Sequence, residues 1–384
     1  MRRLTALGLA AWLAWPAHAA TFDLPADGGD VVGQVRVVVL ADARNTLLDV
    51  ARHFDLSLAE IKSANRGVPV WTPERGARIV VPTEFILPPG PRAGIVIDIP
   101  RRRLYFYPPG QAGRRARVVT FPVGIARPGW PTPLGLTRIV SKERNPAWTV
   151  PPDIALEHAR QGAVDFPRYV PPGPDNPMGM HALRTGFAEI FIHGTDRPWG
   201  VGMRVSHGCI HLYPEDAALL FRLVRIGTPV RIIDRPVLLG VRAGRVYLSS
   251  SPTVADYPSR LPGASRAVAA WARLRHDHPG EVPAAPPWRR LLAAAAARGI
   301  VPVLIAPAGA APRSAAPLPY TDRPYGADAN GAAPPAPESA AGMSNTRTPS
   351  TSGSRCVQRG SASVRVMSAT PAPQCSSIER RENS

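Results

Sequence analysis

Proline restricts this chain more than any other residue type. The sequence of 384 residues contains 46 prolines and 33 glycines. Because proline lacks a backbone N–H, it is excluded from helix interiors and from central strands. So many prolines exceed what one compact domain needs, and the length itself favours two or three domains. We therefore expect separate folded parts, together with linkers or a tail.

Residues 1–19 have the three parts of a secretory signal peptide. Two arginines follow the first methionine, and an apolar run extends to residue 15. Pro16 then breaks the helix before Ala-His-Ala, a small-x-small cleavage site. The apolar run is shorter than the ~20 residues that span a bilayer, which argues against an uncleaved anchor. We expect a mature protein in the periplasm that is not an integral membrane protein.

Residues 34–82 have the pattern strand, helix, helix, strand. Valines alternate along the first strand, Thr46 can cap the first helix, and Ser57 with Glu60 has capping-box spacing for the second helix. The stretches LLDVARHFDLSLAEIKSANRG and ARIVVPT resemble a LysM module, a family that binds N-acetylglucosamine-containing glycans such as peptidoglycan. The resemblance implies a small βααβ glycan-binding domain. An inert helical spacer is the alternative.

From residue 93 the sequence becomes rich in short apolar strands. Isoleucines alternate at positions 95, 97 and 99, and similar runs recur as far as residue 233. Residues 214–224 predict one helix, with proline and two acidic residues in its first turn. The density of proline and glycine between residues 127 and 180 predicts a long loop. We expect a mostly β domain over residues 93–233 with one packed helix.

The rest of the chain divides into an extension and a tail. Residues 234–305 form the C-terminal extension, in which we predict one strand near GRVYLSSSP and two helices, 264–276 and 288–298. Ala, Pro, Ser, Gly and Thr dominate residues 306–384. Such a composition buries too little apolar area to offset the entropy of ordering. We predict that this tail is disordered.

The net charge is +18 and comes mainly from arginine. A basic exported protein suits anionic polymers such as the cell wall. Arginine-rich codon usage is the simpler explanation for the same composition. Nucleic acid is not an expected partner, because the chain carries an export signal and no recognition motif.

The chain has three cysteines, Cys209, Cys356 and Cys375. The last two fall in the tail, where they could form a disulfide, whereas Cys209 is alone in the region predicted to fold. Oxidising compartments normally pair thiols. A lone cysteine in an exported domain therefore favours a chemical role.

Histidines surround Cys209 in the string IFIHGTDRPWGVGMRVSHGCIHLYPED. A catalytic thiol needs a nearby base, and the strand that carries His193 can supply one. Gly208 lets the backbone approach a substrate closely. The backbone amides of Gly208 and Cys209 are candidate donors to an oxyanion.

Two other interpretations of the same string remain open. A buried cysteine often serves only as a small apolar side chain. In addition, His207, Cys209 and His211 alternate, so a strand would present all three on one face as metal ligands, with His181 or His193 as the fourth.

The string resembles the signature of the YkuD-type L,D-transpeptidases, in particular the Gram-negative group that includes ErfK and YbiS. That signature is a histidine, a spacer and then Ser/Thr-His-Gly-Cys, which here are His193, twelve residues, and Ser206 to Cys209. The stretches NPMG and VGIARPGWPTPLG are also similar to the family. The resemblance covers about residues 93–233 and implies a β-sandwich catalytic domain without a cofactor or metal.

The resemblance also implies a mechanism. Cys209 would attack the carbonyl between meso-diaminopimelate and the terminal D-alanine of a peptidoglycan tetrapeptide stem. D-Alanine would leave, and an amine would then attack the thioester. His193 would act as acid and base, while Ser206, His207 and Gly208 would shape the site.

Substrate binding is predicted at three further residues. Many relatives carry arginine or asparagine where this chain has His211, and histidine binds a carboxylate as a cation only when it is protonated. Arg184 and Arg204 are nearby in the sequence and could replace that cation. Ordinary solvated arginines are the alternative.

Three functions fit this set of features. The first is an L,D-transpeptidase that forms 3→3 cross-links or attaches a lipoprotein to the wall. The second is an L,D-carboxypeptidase that uses the same site with water as the acceptor. The third is a non-catalytic peptidoglycan-binding protein.

Overall fold

The computed structural model of the chain describes residues 20–163, 165–257, 263–306 and 318–320. The predicted signal peptide, Cys356 and Cys375 lie outside these residues. The described α-helices are α1 (Leu47–His53), α2 (Leu58–Ala64), α3 (Pro152–Arg160), α4 (Pro214–Leu223), α5 (Gly263–Asp277) and α6 (Trp288–Ala296). Within the described ranges, none of these helices has the length and apolar character needed to cross a membrane.

Apart from Gly135–Arg144, the described strands have six residues or fewer. In chain order they are β1 (Ala20–Asp23), β2 (Val31–Gly33), β3 (Arg36–Leu40), β4 (Arg78–Val81), β5 (Glu84–Ile86), β6 (Gly94–Asp98), β7 (Arg103–Tyr107), β8 (Arg117–Pro122), β9 (Ile125–Ala126), β10 (Gly135–Arg144), β11 (Trp148–Thr149), β12 (Tyr169–Val170), β13 (His181–Thr185), β14 (Phe191–His193), β15 (Arg204–Ser206), β16 (Ile210–His211), β17 (Pro229–Ile233), β18 (Val237–Arg242), β19 (Arg245–Ser250), β20 (Val303–Ala306) and β21 (Leu318–Tyr320).

The central domain is built on one nine-stranded sheet with the order β1-β8-β7-β6-β17-β10-β13-β14-β16. Strand β10 joins its two halves, because residues 135–138 pair with β17 and residues 139–144 pair with β13. The register shifts between Ile139 and Ser141, and such a bulge bends a strand. The sheet curls, and apolar residues from both halves share one core with α4. The prediction of a mostly β fold is confirmed.

Helix α4 follows β16 after two residues and closes this core. It buries Ala217, Leu220 and Phe221, the apolar face that the sequence predicts. Lys142 of β10 donates hydrogen bonds to the carbonyl oxygens of Phe221 and Val224 at 2.5 and 2.6 Å. A cation at the C-terminal end of a helix complements the helix dipole. The helix that follows the candidate nucleophile is thereby fixed to the bend of the sheet.

The prediction of a long loop between residues 127 and 180 is wrong. This region contains β10, which is ten residues long, as well as α3 and the pair β11–β12. Only Ile139 of β10 is buried, so the strand lacks the apolar alternation that reveals strands in a sequence. The prolines and glycines of the region lie around these elements.

The βααβ order predicted for residues 34–82 is present as β3, α1, α2 and β4. Both predicted caps form: the Thr46 side chain accepts from the Asp49 N–H, and the Ser57 side chain accepts from the Glu60 N–H. Strand β21 pairs in parallel with β3, although it lies in the segment predicted to be disordered. Tyr320, which ends β21, is 3% exposed and belongs to the core of these elements. We call β3, α1, α2 and β4 the N-terminal module.

A buried arginine joins the N-terminal module to the central sheet. Arg103 of β7 donates from Nε to Glu60 Oε1 at 2.7 Å and from Nη2 to Glu60 Oε2 at 2.9 Å. It also donates to the backbone oxygen of Asp55 at 2.7 Å and to Thr120 Oγ1 at 2.8 Å. The Glu60 carboxylate accepts from the Ser57 N–H at 2.7 Å as well. One carboxylate therefore caps α2 and neutralises the arginine.

The module also packs against the spacer that separates His193 from the Cys209 motif. Gly202 has φ +85°, and a Cβ atom there would lie 2.2 Å from Ser57 Cβ. Arg102 donates to the Gly202 carbonyl at 2.5 Å. Trp199 and Met203 of the spacer pack against the module core. The contact requires glycine, because only glycine leaves room for the close approach.

The C-terminal extension contains the sheet β18-β19-β20, with α5 and α6 packed on it. After β19 the chain returns to the central domain, where Val254 and Tyr257 join its core. The expected boundaries at residues 34–82, 93–233 and 234–305 remain predictions.

Candidate active site

Cys209 stands at the entrance to β16 and is a free thiol in the described part of the chain. Gly208 before it has φ +108°, and a Cβ atom there would lie 2.9 Å from the Ile190 side chain. Only glycine takes up this backbone easily, so Gly208 sets the turn that presents the thiol. The half-buried Sγ donates to the carbonyl oxygen of Glu189 at 3.5 Å.

His193 lies on the strand beside the thiol. β14 and β16 are parallel, with Ile192 opposite Ile210 and His193 opposite His211. Extended by one residue beyond β16, this register would set Cys209 opposite Phe191 and on the face of His193. Strands about 4.8 Å apart with a rise of about 3.3 Å per residue leave about 8 Å between the two Cα atoms. An imidazole and a thiol that turn towards each other can bridge this distance.

Both groups are neutral at pH 7. Burial raises the pKa of the Cys209 thiol to about 11, although the backbone of Phe191 lowers it, and the charge of Glu189 raises it further. Burial lowers the pKa of His193 to about 4, against the backbone carbonyls of Gly194 and Met178, which favour the protonated ring. The resting pair is therefore a thiol and an uncharged imidazole, not an ion pair.

His211 lies beside this pair. Its ring centroid is 4.5 Å from that of His193, with an angle of 59° between the planes. Burial lowers its pKa well below the usual value, and electrostatic repulsion from the protonated forms of His193 and His207 adds to the shift. A neutral ring is not the cation that an anionic substrate group would need.

Ser206 and His207 take different directions. Ser206 is buried and donates to the carbonyl oxygen of Cys209 at 2.5 Å, which closes the turn around the nucleophile. His207 Nε2 lies 2.9 Å from Glu157 Oε2 on α3 and also contacts Arg127. Burial, then Arg127, lowers the pKa of His207 to about 4. His207 thus connects the motif to α3.

The alternating spacing does not produce a metal site in the described part of the chain. There, no group of three or more His, Cys, Asp or Glu side chains could hold a metal ion. The turn at Gly208 separates His207 from Cys209 and His211, because a continuous strand would be needed to keep the three on one face.

The two candidate arginines differ in their environment. Arg204 is half-buried, forms an ion pair with Asp256 and donates to the Ala126 carbonyl at 3.1 Å. Its charge is used within the protein. Arg184 of β13 is exposed and lies opposite Phe191, in the row of the sheet that leads to Cys209. Of the two, Arg184 is the one exposed to solvent, and its role in substrate binding remains a prediction.

Sequence reasoning missed Thr132, which contacts the motif, and Tyr257, which contacts Thr132. Thr132 is buried and donates from Oγ1 to the Gly208 carbonyl at 2.6 Å. The Thr132 N–H in turn donates to the Tyr257 hydroxyl at 2.6 Å. Thr132 belongs to the stretch VGIARPGWPTPLG, which the sequence does single out. The partner of its hydroxyl comes from the fold alone.

A cavity of about 600 Å³ lies elsewhere, between the linker after β5 and the C-terminal extension. Its charged lining includes Arg92, Asp234, Arg266 and Asp277. It includes none of the candidate catalytic residues described above.

Comparison with known families identifies a catalytic domain in this part of the chain. Residues 92–232 match YkuD, the L,D-transpeptidase catalytic domain. The Escherichia coli (strain K12) protein named "Probable L,D-transpeptidase YcfS" is 37% identical over 259 residues, which are 65% of this chain and 79% of that protein. "Probable L,D-transpeptidase ErfK/SrfK" from the same strain is 39% identical over 221 residues, 57% of this chain and 69% of that protein.

Solved structures are similar over a smaller part. The crystal structure of L,D-transpeptidase 3 from Mycobacterium tuberculosis matches at 24% identity and a TM-score of 0.27, covering 43% of this chain and 73% of that one. The NMR structure of the catalytic domain of the Enterococcus faecium L,D-transpeptidase matches at 24% identity and a TM-score of 0.27, covering 37% and 96%.

Proposed function

The chain belongs to the YkuD-type L,D-transpeptidases, and on this basis we propose that Cys209 is its nucleophile and His193 its acid–base group, acting on peptidoglycan stem peptides. One observation carries the assignment. His193 lies opposite His211 in the parallel pair β14–β16, and Cys209 directly precedes β16, which supports a thiol and an imidazole within reach of each other. In the resting structure the thiol donates to the Glu189 carbonyl, so Sγ turns from this carbonyl towards His193 when the reaction begins.

Acylation begins from the neutral pair. Because the pKa of His193 is about 4, the ring is unprotonated at pH 7 and can accept the thiol proton as Sγ attacks the carbonyl of the D-alanine bond. The new oxyanion takes hydrogen bonds from the backbone N–H groups of Gly208 and Cys209. The C–N bond then breaks, D-alanine leaves with the proton from His193, and the thioester remains.

The thioester is then transferred to an acceptor. An amine attacks the acyl carbon, His193 removes the proton of the amine, and the thiol is regenerated as the C–S bond breaks. While it is protonated, the His193 ring is stabilised by the nearby carbonyls of Gly194 and Met178. An amine from a second stem gives a 3→3 cross-link, and an amine from a lipoprotein gives attachment to the wall.

The proposal includes where the protein works. The signal peptide delivers it to the periplasm, where peptidoglycan is its substrate, and the N-terminal module binds the glycan. The sequence similarity to a LysM module supports the last point.

Incubation with a disaccharide-tetrapeptide tests the activity. We expect release of D-alanine and formation of a cross-linked dimer, both lost in Cys209→Ala and strongly reduced in His193→Gln. Release of D-alanine without a dimer would indicate water as the acceptor and hence a carboxypeptidase. Unchanged release by Cys209→Ala would refute the assignment of the nucleophile.

A further inference from the structure

We infer that Thr132 and Tyr257 are positioning residues that orient the oxyanion-binding N–H of Cys209. This inference rests on the proposed function, because it concerns how the proposed acyl transfer is stabilised. Tyr257 lies outside residues 92–232, the part that matches the catalytic domain. The C-terminal extension would then supply part of the geometry of the active site.

One peptide unit joins Gly208 to the nucleophile. The Gly208 carbonyl and the Cys209 N–H belong to the same planar group and point in opposite directions. Whatever fixes the carbonyl oxygen therefore fixes the direction of the N–H. In this protein the oxygen is fixed by the Thr132 hydroxyl at 2.6 Å.

The peptide unit between Gly208 and Cys209 has unusual conformational freedom. Gly208 has φ +108°, and glycine has the widest choice of backbone conformations of any residue. A peptide that follows glycine can rotate more easily than one held by a side chain. The Thr132 hydrogen bond opposes this freedom on the side away from the substrate.

Thr132 is itself held in place by Tyr257. Its N–H donates to the Tyr257 hydroxyl, and both residues are buried, at 1% and 4% exposure. Burial raises the pKa of Tyr257, so the phenol stays neutral. The Tyr257 ring packs in the central core, which makes it a rigid support for the threonine.

A second contact reinforces the same loop. Asp256, next to Tyr257, accepts a hydrogen bond from the Gly129 N–H at 3.2 Å and pairs with Arg204. Arg204 holds the Ala126 carbonyl at 3.1 Å. The loop that carries Thr132 is thus tied to residues 256–257 at more than one point.

Three variants separate positioning from general structure. Thr132→Val removes the hydroxyl with little change in volume, Thr132→Ser restores it, and Tyr257→Phe removes only the support of the Thr132 N–H. Each is compared by the rate of acylation with a carbapenem, followed by intact-protein mass spectrometry, and by the rate of alkylation with iodoacetamide. Alkylation uses the same thiol but forms no oxyanion.

Removing one oxyanion donor altogether costs about 10²–10³-fold in rate, and a tilted donor should cost a part of that. We expect acylation to fall about 30-fold in Thr132→Val and about tenfold in Tyr257→Phe, with alkylation within about twofold of wild type. Thr132→Ser should recover most of the acylation rate. With the tetrapeptide substrate, kcat should fall while KM stays nearly constant, because the oxyanion exists only in the transition state.

Two results would overturn the inference while the proposed function stands: acylation unchanged in Thr132→Val and Tyr257→Phe, or acylation and alkylation reduced by the same factor. If Thr132→Val does not fold, Tyr257→Phe, which keeps the buried ring, decides the matter alone. If the wild-type protein forms no adduct at Cys209, the proposed function fails first and the inference falls with it.

Discussion

The central sheet is held from two sides by contacts of opposite character. On the side of the N-terminal module the contact is charged and buried, with Arg103 at 1% exposure paired with Glu60. On the side of the C-terminal extension the innermost contact is neutral, a hydrogen bond between Thr132 and Tyr257. The Arg103–Glu60 pair joins the N-terminal module to the central sheet. The hydrogen bond from Thr132 to Tyr257 supports a threonine whose hydroxyl binds the Gly208 carbonyl, next to the nucleophile.

The two contacts should affect different properties, the free energy of unfolding and the rate of acylation. A buried ion pair is costly to break from one side, because the remaining charge stays without compensation. A neutral hydrogen bond contributes only about 1 kcal/mol, yet a small misplacement of a catalytic group can cost about 10²-fold. We therefore expect substitutions on the module side to lower the free energy of unfolding, and substitutions on the extension side to lower the rate of acylation.

The largest expected effect follows from Glu60→Gln. Glutamine can still cap α2, but Arg103 loses its counter-charge, which should lower the free energy of unfolding by about 3–5 kcal/mol. Urea denaturation measures this. Asp42→Asn, which removes an exposed pair with Arg44, is the matched control and should change little. Equal stability of Glu60→Gln and the control would remove the distinction between the two sides.

A smaller effect depends on pH and comes from Asp55. Burial raises its pKa to about 8, with Arg103 opposing and Glu215 adding to the shift. Between about pH 4 and pH 8 the folded state therefore holds a proton that the unfolded state has lost, and stability falls as pH rises. Asp55→Asn removes this dependence. Its amide also suits the φ of +51° at this position.

Denaturation at pH 5, 7 and 9 tests the Asp55 prediction. The variant should gain stability over wild type as pH rises to about 8, by at most about 1.4 kcal/mol per pH unit, and the gain should level off above that. Burial raises the pKa of Asp216, and the charge of Asp55 adds to that shift, so the difference between the two proteins also contains the change at Asp216 when Asp55 is replaced. Glu74→Gln, at an exposed position, should show no such trend. Parallel curves for wild type and Asp55→Asn would contradict the expectation.

The smallest expected effect on stability is on the extension side, in Asp256→Ala. The change releases Gly129 and Arg204 together, so the loop before Thr132 loosens. We expect acylation to slow about tenfold while the melting temperature stays close to that of wild type. Asp23→Ala, which removes an exposed pair with Arg117, should leave both unchanged. A large fall in melting temperature with a normal acylation rate would show that the contact on the extension side stabilises the fold and does not position the active site.

Local patterns predicted much of this fold. The caps at Thr46 and Ser57 and the apolar face of α4 depend on residues three or four positions apart, which the sequence displays directly. The motif of fixed spacing pointed to His193 and Cys209. The pairing of β14 with β16 and the burial that shifts the two pKa values came only from the structure.

The remaining features depend on contacts between distant residues. β10 exposes most of its side chains, so no apolar period marks it. The direction of His207 towards Glu157 follows from the turn at Gly208, and the support of Thr132 comes from a residue 125 positions away. Hydrogen bonds of this kind leave no pattern in the sequence, because either partner alone is an ordinary polar residue.

Strand β21 covers an edge of the sheet through which copies of this protein could associate. β3 lies between β21 and β4 in its sheet, so residues 318–320 occupy backbone groups of β3 that would otherwise form an open edge. Open edges are templates for pairing with another chain. By pairing with this edge, β21 should disfavour self-association. A chain that stops before residue 318 would expose the edge of β3 to pairing with another copy.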